Sequence, residues 1–279
     1  MSQAAKAQAL LDLHKNGKLL ILPNVWNPIG ARMLEGKGFS AVATASAAIA
    51  ESLGYGDGEQ IKLETMLEMV GRIVSSVNLP VSADFEAGYS DSIAGLQENI
   101  SRLIDTGAVG INFEDGLDDS SRLRPMTEQV ERIQAVREAA ERRGVHLVIN
   151  ARTDSFFADG FSSDEDRIED VITRSNAYIQ AGADSTYPIG RGDKETLAIL
   201  RKRINAPINV LATAKTASLK DLQELGINRV SFGPYIFRSL LAKMSAIQDE
   251  ILNMSGYEIV MDGLWSGGDI KKYLSAEKE

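Results

Sequence analysis

The sequence predicts an α/β protein built as a (β/α)8 barrel of the TIM type. Three observations predict it. Short apolar runs alternate eight times with stretches of helical period. The runs are apolar at successive residues rather than alternate ones, which implies strands buried on both faces and so a parallel sheet. The eight units fit within roughly 250 residues, the usual span of such a barrel. An open doubly wound sheet usually has fewer strands and a G-x-G-x-x-G turn after the first. Here the first strand runs into PNVWNPIG instead.

The elements follow in order. MSQAAKAQALLDLHKNGK reads as a short amphipathic helix, too polar and too broken for a signal peptide. KLLILPN (18–24) precedes a helical stretch over 28–38, and FSAVATAS (39–46) precedes a glycine-rich loop, LGYGDGEQ, and a helix over 63–77. LPVSADFE (79–86) leads to a helix over 92–106, VGINFED (109–115) to 127–143, and VHLVINARTD (145–154) to 164–181. ADSTYPI (183–189) leads to 194–204, APINVLA (206–212) to 218–225, and NRVSFG (228–233) to 235–253. Helices stop at glycine, as at Thr106-Gly107 and Leu225-Gly226, where a left-handed residue closes the last turn. DEDRIED suits the positive end of a helix dipole. One domain is expected, with the barrel over about 18–253 and a C-terminal arm over about 254–279. The arm either packs on its own barrel or crosses to a neighbouring subunit.

Composition narrows the chemistry. The 279 residues are 44% hydrophobic and 25% charged, an ordinary globular balance. No apolar stretch reaches the roughly 18 residues of a membrane span. Without cysteine there is no thiolate nucleophile, disulfide or zinc–sulfur site, and a reducing cytoplasm suits the chain. The two histidines, His14 and His146, fall in the first helix and at a strand entrance, where structural roles suffice. Acid–base work therefore falls to carboxylates, Lys, Arg or Tyr, and a metal should be a hard cation, Mg²⁺ or Mn²⁺ before Zn²⁺. The formal net charge of −9 argues against nucleic acid as a partner but leaves room for small anions beside a local Arg.

In such barrels the reactive face lies at the C-terminal strand ends. The polar residues there are Asn24, Trp26 and Asn27; Thr44 and Ser46, with Asp57 in the loop; Asp84 and Glu86; Asn112, Glu114 and Asp115; Asn150, Arg152 and Asp154; and Asn209. Residues two apart share a strand face. Asp84 with Glu86, Asn112 with Glu114, and Asn150 with Arg152 and Asp154 should therefore face the same way. A divalent cation at Asp84, Glu86 and Glu114, directly or through water, would neutralise charges otherwise costly to bury. The bland alternatives are a loop cap for Asp115, an Arg152–Asp154 pair, and helix caps for strand-end acids. Small residues around Ser46 allow close backbone approach to an anion.

The segments LPNVWNPIGARMLEGKGFSAVATASAAIAESLGYGDGE, LPVSADFEAGY, GINFEDG and VINARTD, in this order, resemble the isocitrate lyase/phosphoenolpyruvate mutase superfamily, and most of all its short carboxyvinyl-carboxyphosphonate phosphorylmutase-like branch. The resemblance runs from about Leu19 to about Leu241. It implies a modified barrel whose eighth helix is exchanged between subunits, a homo-oligomer (dimer or tetramer), Mg²⁺ dependence, and C–C or P–C bond chemistry on small 2-oxo or 2-hydroxy carboxylates or phosphonates through an enolate. By residue, it implies that Asp84, Glu86 and Glu114 hold the metal. Arg152 and Asp57 become the catalytic candidates, and Thr44, Ser46 and Ala47 the substrate-anchoring stretch; Asn209 joins them as a strand-end polar residue. The departures are as telling. The lyases' K-K-C-G-H loop is here GLDDSSRLRP, without Cys, Lys or His, and a histidine of the mutases is Ile189. Isocitrate cleavage by a cysteine acid is thus not expected, and decarboxylation asks least of that loop. Substrate choice should lie in residues 116–125 and around Arg191. Two rivals stand beside this reading: a barrel that binds ligand without turnover, and an aldolase using Lys215 as a Schiff base.

Overall fold

The structure is a computed structural model that describes residues 1–117 and 121–274. Helix α1 (Gln3–Lys15) precedes β1 (Leu20–Leu22) and β2 (Asn24–Val25), one expected strand divided at Pro23. Proline has no N–H for the ladder, and the two halves pair in different directions, β1 with a late strand and β2 with its successor. Next come α2 (Pro28–Gly36), β3 (Val42–Thr44), α3 (Ser46–Ser52), α4 (Leu63–Ser76), β4 (Val81–Asp84), α5 (Ile93–Asp105) and β5 (Gly110–Glu114). A hairpin, β6 (Gly116–Leu117) and β7 (Arg122–Leu123), leads into α6 (Met126–Arg142) and β8 (Val148–Thr153). The chain continues with α7 (Asp164–Gln180), β9 (Ser185–Pro188), α8 (Lys194–Arg203), β10 (Asn209–Leu211), α9 (Leu219–Glu224) and β11 (Arg229–Ser231). It closes with α10 (Tyr235–Leu252), α11 (Glu258–Met261) and α12 (Gly267–Leu274).

This is an α/β fold with parallel strands, as the apolar runs predict. One sheet orders its strands β2-β3-β4-β5-β8-β9, the other β1-β11-β10. The two sheets adjoin at Pro23 and through a parallel bridge between Thr186 and Ile208. The largest apolar core joins α1, α4, α5, α6 and the strands between them. Helix α1 lies so close to β5 that a Cβ on Gly110 would meet Leu10 at 2.7 Å, which is why a strand position carries no side chain. Ser92, Ser163, Asp193 and Ser218 cap α5, α7, α8 and α9.

Two elements are absent from the sequence reading: α3, where a loop is expected, and the β6–β7 hairpin. At the C-terminus α12 returns to α2 of its own chain, where Arg32 donates to the Leu274 carbonyl at 2.8 Å. Helix α10 buries Phe237 but leaves Leu240, Leu241, Met244 and Ile251 exposed. No helix among the described residues is long and apolar enough to cross a membrane.

Candidate active site

Strand register sets the site. Asp84, Asn112, Asn150 and Ser185 stand side by side across β4, β5, β8 and β9. Their side chains form one buried hydrogen-bonded row. Ser185 Oγ donates to Asn150 Oδ1 at 2.7 Å, Asn150 Nδ2 to Asn112 Oδ1 at 2.8 Å, and Asn112 Nδ2 to Asp84 Oδ1 at 3.1 Å. Arg229 also donates to Asn112 Oδ1, at 3.2 Å. With two donors on its oxygen, the Asn112 amide can only turn its nitrogen toward Asp84. The other Asp84 oxygen accepts from the Ser46 amide at 3.0 Å and the Ser46 hydroxyl at 2.9 Å, so Asp84 caps the first turn of α3 from a neighbouring strand. Its own amide donates to Thr44 Oγ1 at 2.8 Å.

Two residues further along, on the same face, Glu114, Arg152 and Tyr187 adjoin. Arg152 donates through Nε and Nη2 to both oxygens of Asp154, at 2.6 and 2.7 Å, and its Nη1 lies 2.7 Å from Glu114 Oε2. Burial opposes its charge, but Glu114 and Asp154 outweigh burial and hold the guanidinium well above its ordinary value. These contacts use three of its five N–H groups and leave one on each terminal nitrogen for a ligand carboxylate. Asp154 is itself braced, since its amide donates to fully buried Asp115 at 3.0 Å. Asp115 also takes the Tyr178 hydroxyl at 2.5 Å and Arg174 at 3.2 Å, both from α7.

A cavity of about 600 Å³ opens over this layer, lined by Ser46, Asp57, Glu59, Glu86, Tyr89, Asp91, Glu114, Arg124 and Arg152 among others. Its floor and rim hold three non-glycine residues with left-handed backbone: Glu59 (φ 59), Glu86 (φ 49) and Tyr89 (φ 57). Each such residue costs roughly 1–3 kcal/mol. Glu86 is buried and accepts from the Glu59 amide at 2.6 Å and the Tyr89 hydroxyl at 3.0 Å. Burial, then Asp84 and Asp57, push its carboxyl up to about 8. Burial and then Asp84 also raise Asp57, whose Oδ1 lies 3.5 Å from Ser46 Oγ.

The structure brings Ser46, Asp57, Glu86, Glu114 and Arg152 to one cavity, with Asp84 directly behind Ser46. Thr44 supports Asp84 from a fully buried position, Ala47 is buried, and neither lines the cavity. Asn209 is fully buried, donates to Ser231 at 3.3 Å, and is not at the cavity either. Lys215 is exposed, away from the desolvated setting a Schiff-base lysine needs. Of the 116–125 loop, Gly116, Leu117 and Arg124 line the cavity, whereas Asp118, Asp119 and Ser120 lie outside the described residues. Arg191 pairs with Asp164 and is not at the cavity. Sequence reasoning missed Glu59, Tyr89 and Arg124. The glycines flanking Glu59 and Tyr89 were the available signal, since they mark tight turns beside a strand end.

Among the described residues, five carboxylates and two guanidiniums line the cavity, and every one of these carboxylates presents hard oxygen donors. Glu86, driven toward its protonated form by burial and neighbouring carboxylates, is the strain a bound cation would relieve. The donors therefore fit Mg²⁺ or Mn²⁺. Among the described residues no three acidic or histidine side chains form a ready-made cage. Asp84, Glu86 and Glu114 each hold a separate partner. That arrangement suits an ion that keeps water and takes only one or two carboxylates.

Comparison with known proteins places the chain among enzymes. A candidate phosphonomutase from Burkholderia cenocepacia J2315 superposes with a TM-score of 0.84 at 35% identity, covering 89% of this chain and 99% of that one. The 2-methylisocitrate lyase of Aeropyrum pernix is 27% identical over 268 residues, 92% of this chain and 83% of the lyase. The oxaloacetate decarboxylase of Pseudomonas putida GB-1 is 29% identical over 235 residues, 81% of this chain and 77% of the decarboxylase. The phosphoenolpyruvate phosphomutase profile matches residues 10–252, nearly the whole α/β body, so the chain belongs to the phosphoenolpyruvate mutase/isocitrate lyase superfamily of lyases and mutases.

Proposed function

We propose that the protein is a divalent-cation-dependent lyase acting on a small 2-oxo or 2-hydroxy carboxylate, breaking a C–C or P–C bond near the carboxylate. The observation that carries this is the braced Arg152, set by Glu114 and Asp154 into a cavity whose lining is rich in carboxylates. Asp84 and Glu86 would hold Mg²⁺ or Mn²⁺, with Glu114 reached directly or through water. When bound, the ion supplies Lewis acidity toward the substrate's carboxylate and α-oxygen. The two free N–H groups of Arg152 grip the substrate carboxylate as a pair. Ser46 and Asp57, which line the same cavity, would meet the substrate's remaining polar groups. The hydrogen-bonded row Asp84–Asn112–Asn150–Ser185 keeps the layer beneath the cavity from rearranging as charge develops.

Oxaloacetate decarboxylation suits the site best, because the described part of the 116–125 loop carries no Cys, Lys or His to act as an acid or base. It also agrees with the activity named for the Pseudomonas relative. We further read the strand pairings, joined at Pro23 and Thr186, as a closed eight-stave barrel. Helix α10 serves in it as the element exchanged between copies in a homo-oligomer.

A turnover screen on oxaloacetate, phosphonopyruvate and 2-methylisocitrate, with and without Mg²⁺, tests the proposal. Turnover of one of them, abolished by chelator and lowered at least about 100-fold in Asp84→Ala, is expected from the loss of an electrostatic anchor. Full activity of Asp84→Ala would remove the assignment. Binding of oxalate with Mg²⁺ but no turnover of any of the three would favour the ligand-binding barrel.

A further inference from the structure

Two hydrogen bonds tie the glycine-rich loop after α3 to the loop after β4, and a third braces the β4 loop internally. The Glu59 amide donates to Glu86 Oε2 at 2.6 Å and the Tyr89 amide donates to Glu59 Oε1 at 2.8 Å; within the β4 loop the Tyr89 hydroxyl donates to Glu86 Oε1 at 3.0 Å. The Ala87 amide also lies on the Glu59 carboxylate. Glu86, Gly88 and Tyr89 all have positive φ, so the amides of Ala87 and Tyr89 turn toward one point, the kind of backbone concavity that binds anions. Here the chain's own Glu59 fills it. Asn99 Nδ2 fixes the loop from behind by donating to the Gly88 and Tyr89 carbonyls at 3.0 and 3.1 Å. The β4 loop is thus anchored to α5, whereas the 54–60 loop reaches it through Glu59. Asp57 lies two residues from that anchor.

We propose that Glu59 is a positioning residue. Its carboxylate, seated on the Ala87 and Tyr89 amides, latches the glycine-rich loop closed and thereby sets Asp57 against the cavity. The catalytic part of this inference rests on the function proposed above; the latch itself does not. Three left-handed non-glycine residues joined in one ring of contacts have a physical reason under this reading. The strain is what a tight two-loop closure requires.

The test uses two variants of the full chain. Glu59→Asn keeps a residue that tolerates left-handed backbone but is too short to reach the amides. Glu59→Gln keeps the length and removes the charge. In Glu59→Asn, amide exchange by NMR at residues 87 and 89 should accelerate about tenfold or more, the effect of losing a charge-assisted hydrogen bond. The amide of residue 59 itself should accelerate with them, since its bond to Glu86 depends on the closed loop. Glu59→Gln should fall between, and exchange in α4 and α5 should not change. If residue 59 stays protected in Glu59→Asn while 87 and 89 speed up, the loop is held without its carboxylate and the latch is overturned. On an active substrate, Glu59→Asn should lower kcat more than it changes KM. The same change should do little further harm in an Asp57→Asn background; additive losses would overturn the action through Asp57. A wild-type protein without turnover would sink the proposed reaction, and the exchange data would still decide the latch.

Discussion

Asp115 shows how one side chain can matter to a site it does not line. It is fully buried and receives Tyr178, Arg174 and the Asp154 amide, and Asp154 in turn holds Arg152. Asp115→Ala would leave the Tyr178 hydroxyl and the Asp154 amide without their acceptor and Arg174 with Asp170 as its remaining carboxylate partner, and should cost more than about 3 kcal/mol for several lost hydrogen bonds to a charged group. Tyr178→Phe removes one neutral donor to a charged acceptor and should cost about 1.5–3 kcal/mol. Urea denaturation checks both, and a cost for Asp115→Ala no larger than for Tyr178→Phe would show that the aspartate does not anchor α7. At this scale the sequence was partly legible. Residues two apart on one strand must share a face, so the Arg152–Asp154 and Glu114–Arg152 contacts follow from spacing and register. The role of Asp115 was visible only as an acid at a strand end, because its partners lie some 60 positions away on α7 and no local pattern links them. Glu59 was hidden for a similar reason: its partners are set by the meeting of two loops, not by periodicity.

Among the elements, α1 carries a testable consequence of burial. His14 sits in its last turn, where the helix dipole favours a charged imidazole by about 0.3–1 kcal/mol. Burial acts the other way and wins: with Arg229 nearby adding to it, it pushes the imidazole down to about 4 from 6.5. The folded form therefore resists a proton that the unfolded chain takes at pH 6.5. Stability should be fully present above about pH 6.5, fall as the pH drops toward 4, and level off below. The shift corresponds to a loss of about 3 kcal/mol. His14→Gln should flatten that interval in a series of denaturation curves; an unchanged slope would show that His14 stays accessible to protons in the native state. Long amphipathic helices such as α5 and α7 were legible to within a residue or two, because periodicity and serine caps agree. Helix α3 was not, because its seven residues, SAAIAES, are too few and too uniformly small to show a polar face. The β6–β7 hairpin was not, because two-residue strands carry no alternation. Pro23 was in plain view, but only the pairing of β1 and β2 with different strands shows that it divides a strand rather than ends one.

At the scale of the whole molecule, the repeat of eight units was the clearest signal in the sequence, while the fate of the last helix was the least clear. Helix α10 runs 18 residues and buries only Phe237 among them. Leu240, Leu241, Met244 and Ile251 recur at spacings of one, four and eleven from the first, so they share one side of the helix and stand exposed in the single chain. An apolar stripe of this kind marks a surface that is covered by something. A second copy of the chain is the occupant proposed here, because α12, the last described helix, is already engaged with α2. Light scattering at micromolar concentration should then give a mass that is a multiple of 30.3 kDa. Leu241→Glu combined with Met244→Glu places two charges in that contact. Each charge would be buried without a partner on association, which is strongly unfavourable. The double variant should therefore elute at the mass of one chain and melt at lower temperature, with the α/β core still folded by circular dichroism. If the wild-type chain itself runs at 30.3 kDa, the exposed stripe needs another occupant and the exchange of α10 between copies is excluded.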